Sequence, residues 1–144
     1  MRPVIAANKE KFAGIPWMAF QVGDFTKDVL PRGDLIFCRD ALQHLALPLI
    51  FAALERFAVS LSGDPHRYLL VGSYDTGNNR NISTGDYFSI DLRAEPFNLQ
   101  PLEVFPELHE NGHRPKALLL YTGQQLAAAD IGAIRKRAHA AGMR

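Results

Sequence analysis

Cys38-Arg39-Asp40 and His44 bring a thiol, a guanidinium, a carboxylate and an imidazole together in one short stretch of chain. A carboxylate and an imidazole four positions apart share one face of a helix or turn. An imidazole titrates near neutral pH, so such a pair can act as acid and base. The spacing therefore nominates Asp40 and His44 as a proton-handling pair, provided a helix or turn begins near Asp40. The same residues have structural readings. Asp40 can cap the following helix, Arg39 can pair with a neighbouring carboxylate, and His44 can pack over a strand end. Spacing leaves both open and weights the structural one, because paired charges are often architectural. Cys38 follows Leu35-Ile36-Phe37, an apolar setting that raises a thiol pKa and makes it inert; it reads as a buried structural cysteine.

Other chemistries have thinner support. The histidines are His44, His66, His109, His113 and His139. Only His109 and His113 stand four apart, and Asn111-Gly112 between them argues for a turn. With no HExxH pattern, a metal site is not expected. Neither GxGxxG nor GxxxxGK[ST] occurs, which removes the usual phosphate-cradling loops. The basic segment Arg135 to Arg144 reads as a solvated helix end that compensates the dipole, since no aromatics interleave with its charges. With 16 basic and 15 acidic residues the net charge is +1, which excludes nucleic-acid binding by bulk charge. A single cysteine excludes an intramolecular disulfide. No apolar run reaches the roughly 20 residues that span a bilayer, and Met1 to Phe12 has no secretory apolar core. A cytoplasmic protein without membrane or nucleic-acid partners is the expectation.

The elements that must position these groups follow from periodicity. A chain of 144 residues, 47% of them hydrophobic, is long and apolar enough for one domain and unlike a disordered segment. Val4 to Phe12 reads as a helix stopped by Gly14-Ile15-Pro16. Trp17 to Val22 alternates like a short strand. Asp34 to Cys38 is a compact apolar run, the pattern of a strand buried on both faces. Leu47, Ile50, Leu54, Phe57 and Leu61 fall on one helical face, ended by Ser62-Gly63-Asp64-Pro65. Tyr68 to Gly72 is a second buried-type strand, so the middle of the chain predicts a βαβ unit. Asp75 to Asp86 is a polar loop too long for a mere connection, and is where acceptor contacts are expected. Leu102 to Leu108 and Lys116 to Thr122 suit an antiparallel pair joined by His109 to Arg114. Gln124 to Ala141 reads as one Ala-rich helix. Ligands of parallel α/β sheets bind at the carboxyl ends of strands, which singles out Asp24, Arg39-Asp40 and Ser73-Tyr74-Asp75.

Two segments carry a resemblance. Val22-Gly23-Asp24-Phe25, and then Leu30-Pro31-Arg32-Gly33-Asp34-Leu35-Ile36-Phe37-Cys38-Arg39-Asp40-Ala41-Leu42-Gln43-His44-Leu45, resemble the third and fourth motifs of class I S-adenosylmethionine-dependent methyltransferases. Tyr68 to Val71 resembles that family's fifth strand. Asn81-Ile82, Gly85-Asp86-Tyr87, Asp91-Leu92 and Pro96-Phe97-Asn98-Leu99 resemble the region after it, and Lys116 to Tyr121 its final strand. The likeness runs collinearly from about Val4 to Leu126. It implies an α/β fold, an incomplete Rossmann-like sheet of parallel strands with an antiparallel pair near the C-terminus. It further implies that residues 1–144 form a single partial domain, with strands three to seven but not the first two strands or the glycine-rich turn.

Carried over by resemblance, Asp24 and Phe25 match the acidic loop that contacts adenine, and Cys38 and Arg39 match the methionine side of the cofactor. Asp40 and His44 match the rim where the acceptor approaches. The implied activity is methyl transfer from S-adenosylmethionine to an unidentified acceptor, by a chain incomplete and inactive alone. The alternative is a non-catalytic methyltransferase-like interaction module or partner subunit, or a homo-oligomer formed through an exposed apolar sheet edge.

Overall fold

The structure, a computed structural model, describes residues 2–107 and 115–143. His109 and His113, and the expected connection from His109 to Arg114, lie outside them. Along the chain come α1 (Arg2–Lys11), β1 (Leu35–Cys38), a 3-10 turn (Leu42–His44), α2 (Leu47–Leu61), β2 (Tyr68–Tyr74), β3 (Glu103–Pro106), β4 (Lys116–Thr122), α3 (Gly123–Ala128) and α4 (Ile131–Ala140). The four strands form one mixed sheet in the order β1-β2-β4-β3. β1 and β2 are parallel, with Leu35 opposite Tyr68 and Cys38 opposite Val71. The helix between them is the crossover that a parallel pair requires, so the chain is α/β with the expected βαβ unit. β4 runs antiparallel to both β2 and β3.

The apolar face of α2 drives the packing. Leu47, Ile50, Phe51, Leu54, Phe57 and Leu61 are all buried. They meet Leu69 and Val71 of β2, Leu119 and Tyr121 of β4, Leu126 of α3 and Ile131, Ile134 and Ala138 of α4 in one core. Register places Leu69 opposite Tyr121 and Val71 opposite Leu119, so this core lies on a single face of the sheet. The residues between them face the other way. Leu70 is paired with Leu120, and Leu118 with Phe105. On that second face Leu35, Phe37 and Phe105 remain 54%, 58% and 42% exposed.

Three expectations are corrected. Trp17 to Val22 is not a strand. Met18 N–H donates to the Ile15 carbonyl at 3.1 Å in a turn, and Trp17 is exposed; alternation makes a strand only where a neighbouring strand pairs with it. β1 is a strand, but its residues alternate between exposed and half-buried, because it stands at the end of the sheet order and only its α2 side is covered. The single C-terminal helix is two. Asp130 takes a left-handed conformation (φ 46°) and its side chain accepts from Ala133 N–H, starting α4 afresh. An aspartate cap is a stronger local signal than the alanines around it.

Candidate functional site

The carboxyl ends of β1 and β2 and the amino end of β4 meet at one edge of the sheet, since Tyr74 lies opposite Lys116. Lys116 is buried, which for an ammonium requires counter-charges. Asp40 Oδ1 is in contact with its Nζ, and Glu107 Oε2 lies 3.4 Å away. The ammonium also sits 5.8 Å above the Tyr74 ring, a cation–π distance. Arg39 Nε donates to Glu107 Oε1 at 2.8 Å and stands 3.7 Å from Asp40 Oδ2. Two cations and two carboxylates thus alternate around the strand ends. The Lys116 hydrogen bond, the largest influence on Asp40, holds its carboxyl below the usual carboxylate range.

Asp40 reaches this network through a left-handed backbone, φ 56°, which a short polar side chain tolerates. That conformation and the following 3-10 turn break the helical spacing between Asp40 and His44. The carboxylate accepts instead from Gln43 Nε2 at 3.2 Å and pairs with Lys116. His44 turns to the polar loop, its Nδ1 lying 3.0 Å from the Asp86 carbonyl. A carbonyl can only accept, so neutral His44 carries its proton on Nδ1 and keeps the Nε2 lone pair. Gly85 N–H donates to the His44 carbonyl at 2.8 Å, and Phe88 N–H to that of Gln43 at 2.9 Å. The ring stands 5.6 Å from Tyr87, which meets Tyr74 edge-on at 6.4 Å. Burial first, and then the hydrogen bond to Tyr87, push the Tyr74 hydroxyl pKa up.

The remaining predicted site residues lie elsewhere. Burial pushes the Cys38 thiol up to about 11, the inert state expected of it, and it packs against the core. Asp24 belongs to its own turn: Oδ1 accepts from Thr26 Oγ1 at 2.6 Å and Thr26 N–H at 3.0 Å, and Lys27 Nζ lies 3.1 Å from Oδ2. The Thr26 hydroxyl above all lowers its pKa to about 2. Phe25 stacks on Phe57 of α2 at 6.0 Å. Asp24 and Phe25 line a cavity of about 480 Å³, with Leu45, Leu49 and Thr84 on its other side.

The loop from Asp75 to Asp86 is built rather than slack. Buried Asp91 accepts from Thr76 and Gly77 N–H with Oδ2, at 3.1 and 3.0 Å, and from Arg93 N–H with Oδ1. Asn79 bonds both the N–H and the carbonyl of Asp91. Further along, Thr84 Oγ1 accepts from Ala46 N–H at 3.2 Å and Asn81 Oδ1 from Leu47 N–H at 2.8 Å. These two side chains cap α2, whose own Ala46 has no cap to offer. Sequence reasoning missed Lys116, Glu107 and Tyr87. The available signal was Lys116 itself, a charge opening the otherwise apolar run KALLLYT.

Comparison with protein-family models, curated proteins and solved structures returns no match. Among the described residues no group of three or more His, Cys, Asp or Glu is arranged to hold a metal ion. No described helix is long and apolar enough to cross a membrane.

Proposed function

We propose that this chain carries the acceptor side of an S-adenosylmethionine-dependent methyl-transfer site on part of a Rossmann-like sheet, with His44 as the proton acceptor. The observation that carries the reading is the fixed tautomer of His44, its Nδ1 proton held by the Asp86 carbonyl beside the strand ends where α/β sheets bind ligands. The motif resemblance from Val22 to Leu45 supplies the class of reaction.

The cofactor this reading implies meets residues that fit one of its ends. The Asp24–Phe25 cavity, walled by Leu45 and Leu49, suits a flat heterocycle. When bound, the cofactor supplies a methyl group on a sulfonium, which leaves as a thioether when an acceptor lone pair attacks the methyl carbon. The sequence holds no glycine-rich turn for the amino-acid end, and Arg39 is already tied to Glu107, so binding rests mainly on that cavity. Within the chain, His44 Nε2 takes the acceptor's proton. Asp40, ionised and engaged by Lys116, holds the strand end in place and is a poor base. Tyr74 and Tyr87 offer hydroxyls to orient the acceptor.

Calorimetric titration with S-adenosylhomocysteine tests the reading. Saturable heat is expected, weakened about tenfold or more by Phe25→Ala and unchanged by His44→Ala. No heat from the wild-type chain at millimolar ligand overturns it.

A second reading, a non-catalytic interaction module or homo-oligomer, is favoured by the exposed Leu35, Phe37 and Phe105 on the second sheet face. Exposed apolar side chains grouped on one face favour association.

A further inference from the structure

Away from the strand ends, α2 and α4 cross with a groove between them. Pro48, Phe51 and Glu55 lie at helical spacing on α2, and Gly132, Arg135, Lys136 and His139 at helical spacing on α4, with Met143 beyond. The two faces enclose about 520 Å³, within the roughly 300–1,000 Å³ of small-molecule pockets. The floor is apolar: Phe51 is buried and Pro48 and Met143 flank it. The rim is cationic. Arg135 reaches Glu55 at 3.4 Å, but Lys136 and the His139 side chain enter no ion pair among the described residues. The groove stays open because Gly132 has no side chain to fill it. A Cβ there would meet only Asp130 Oδ1 at 3.6 Å and Glu55 Oε1 at 4.0 Å, both ordinary contacts.

We propose that this groove binds a small amphipathic carboxylate, its apolar chain or ring on Phe51, Pro48 and Met143 and its head at Lys136 and His139. Charge selects the ligand class. An apolar floor alone would accept any hydrophobic molecule, whereas the Lys136 ammonium, in no ion pair among the described residues, with the His139 imidazole beside it as a hydrogen-bonding group, favours an anion whose apolar body extends inward. The site shares no residue with the strand-end network, and stands or falls independently of methyl transfer.

Decanoate is the probe, titrated calorimetrically at low ionic strength, with methyl decanoate as the uncharged control. One saturable site is expected for decanoate, with affinity about tenfold or more above that of the ester. Lys136→Glu should weaken decanoate about tenfold and leave the ester unchanged. Gly132→Leu, whose Cβ meets only side-chain atoms at ordinary distances, should fill the groove and remove binding while thermal unfolding shows the fold intact. Equal affinity for acid and ester, or undiminished binding by Gly132→Leu, overturns the proposal. So does a concentration-dependent dimer that Gly132→Leu dissolves, because a second copy would then occupy the groove.

Discussion

Asp40 concentrates the chemistry of the strand ends in one carboxylate. It is left-handed in backbone, bonded to buried Lys116 and close to Arg39. Its carboxyl is held below the usual carboxylate range, so the native state binds its proton less readily than the unfolded chain does. The sign follows from linkage: stability from ionised Asp40 is fully present above the unfolded value and is lost as pH falls through the lower folded one. Asp40→Asn keeps a side chain that tolerates the left-handed turn but removes this titration. In acid denaturation followed by circular dichroism, the variant should start less stable near neutrality and lose less stability below about pH 4, the ordinary aspartate range. Parallel acid limbs in the two proteins would show that the Lys116 pair contributes nothing to stability. The size is modest, because the Asp40 side chain is 47% exposed and solvent screens the pair.

Among the elements, the junction of β4 with α3 is the tightest. Thr122 and Gln125 form a reciprocal capping box, and Gly123 N–H donates to the Arg67 carbonyl at 2.8 Å. A Cβ on Gly123 would lie 2.8 Å from the Asp64 carbonyl oxygen and 2.9 Å from Leu61 Cβ. Gly123→Ala should therefore cost about 1–3 kcal/mol through overpacking, read as a lower urea midpoint at unchanged slope. A midpoint equal to wild type would mean that the α2 end yields freely. This junction was partly legible: Thr122-Gly-Gln-Gln125 has the capping-box spacing. The helical face of α2 and the βαβ order were legible because burial on one side imposes a strict period. Trp17 to Val22 has a strand's alternation without a partner, and pairing is a property of the fold rather than of the segment. The strand-end site was half legible. Asp40 and His44 are neighbours in sequence, but Lys116 and Glu107 arrive through the β3–β4 pairing, which no local spacing encodes.

At the scale of the whole molecule, the sheet has one covered face and one that is apolar yet partly open. α2, α3 and α4 contribute to the core on the first, while Leu35 and Phe37 of the parallel pair stand out on the second. Parallel strands are ordinarily covered on both sides, and this partly open apolar face is what the interaction-module reading rests on. Phe37→Glu should lower self-association in sedimentation velocity at high protein concentration without changing the fold, because the replaced ring is 58% exposed. A wild-type chain that sediments as a monomer throughout would remove the interaction-module reading.

The capping of α2 by Thr84 and Asn81 also has a meaning in time. The helix begins at Leu47, but the groups that satisfy its first N–H donors lie beyond β2, more than thirty residues later. Its first turn cannot be completed by a nascent chain that has released only the helix. That turn belongs to the late, non-local part of folding, and the same closing step brings Asp86 to His44. Helix start and imidazole orientation should therefore form together, so that slowing the loop's arrival delays both.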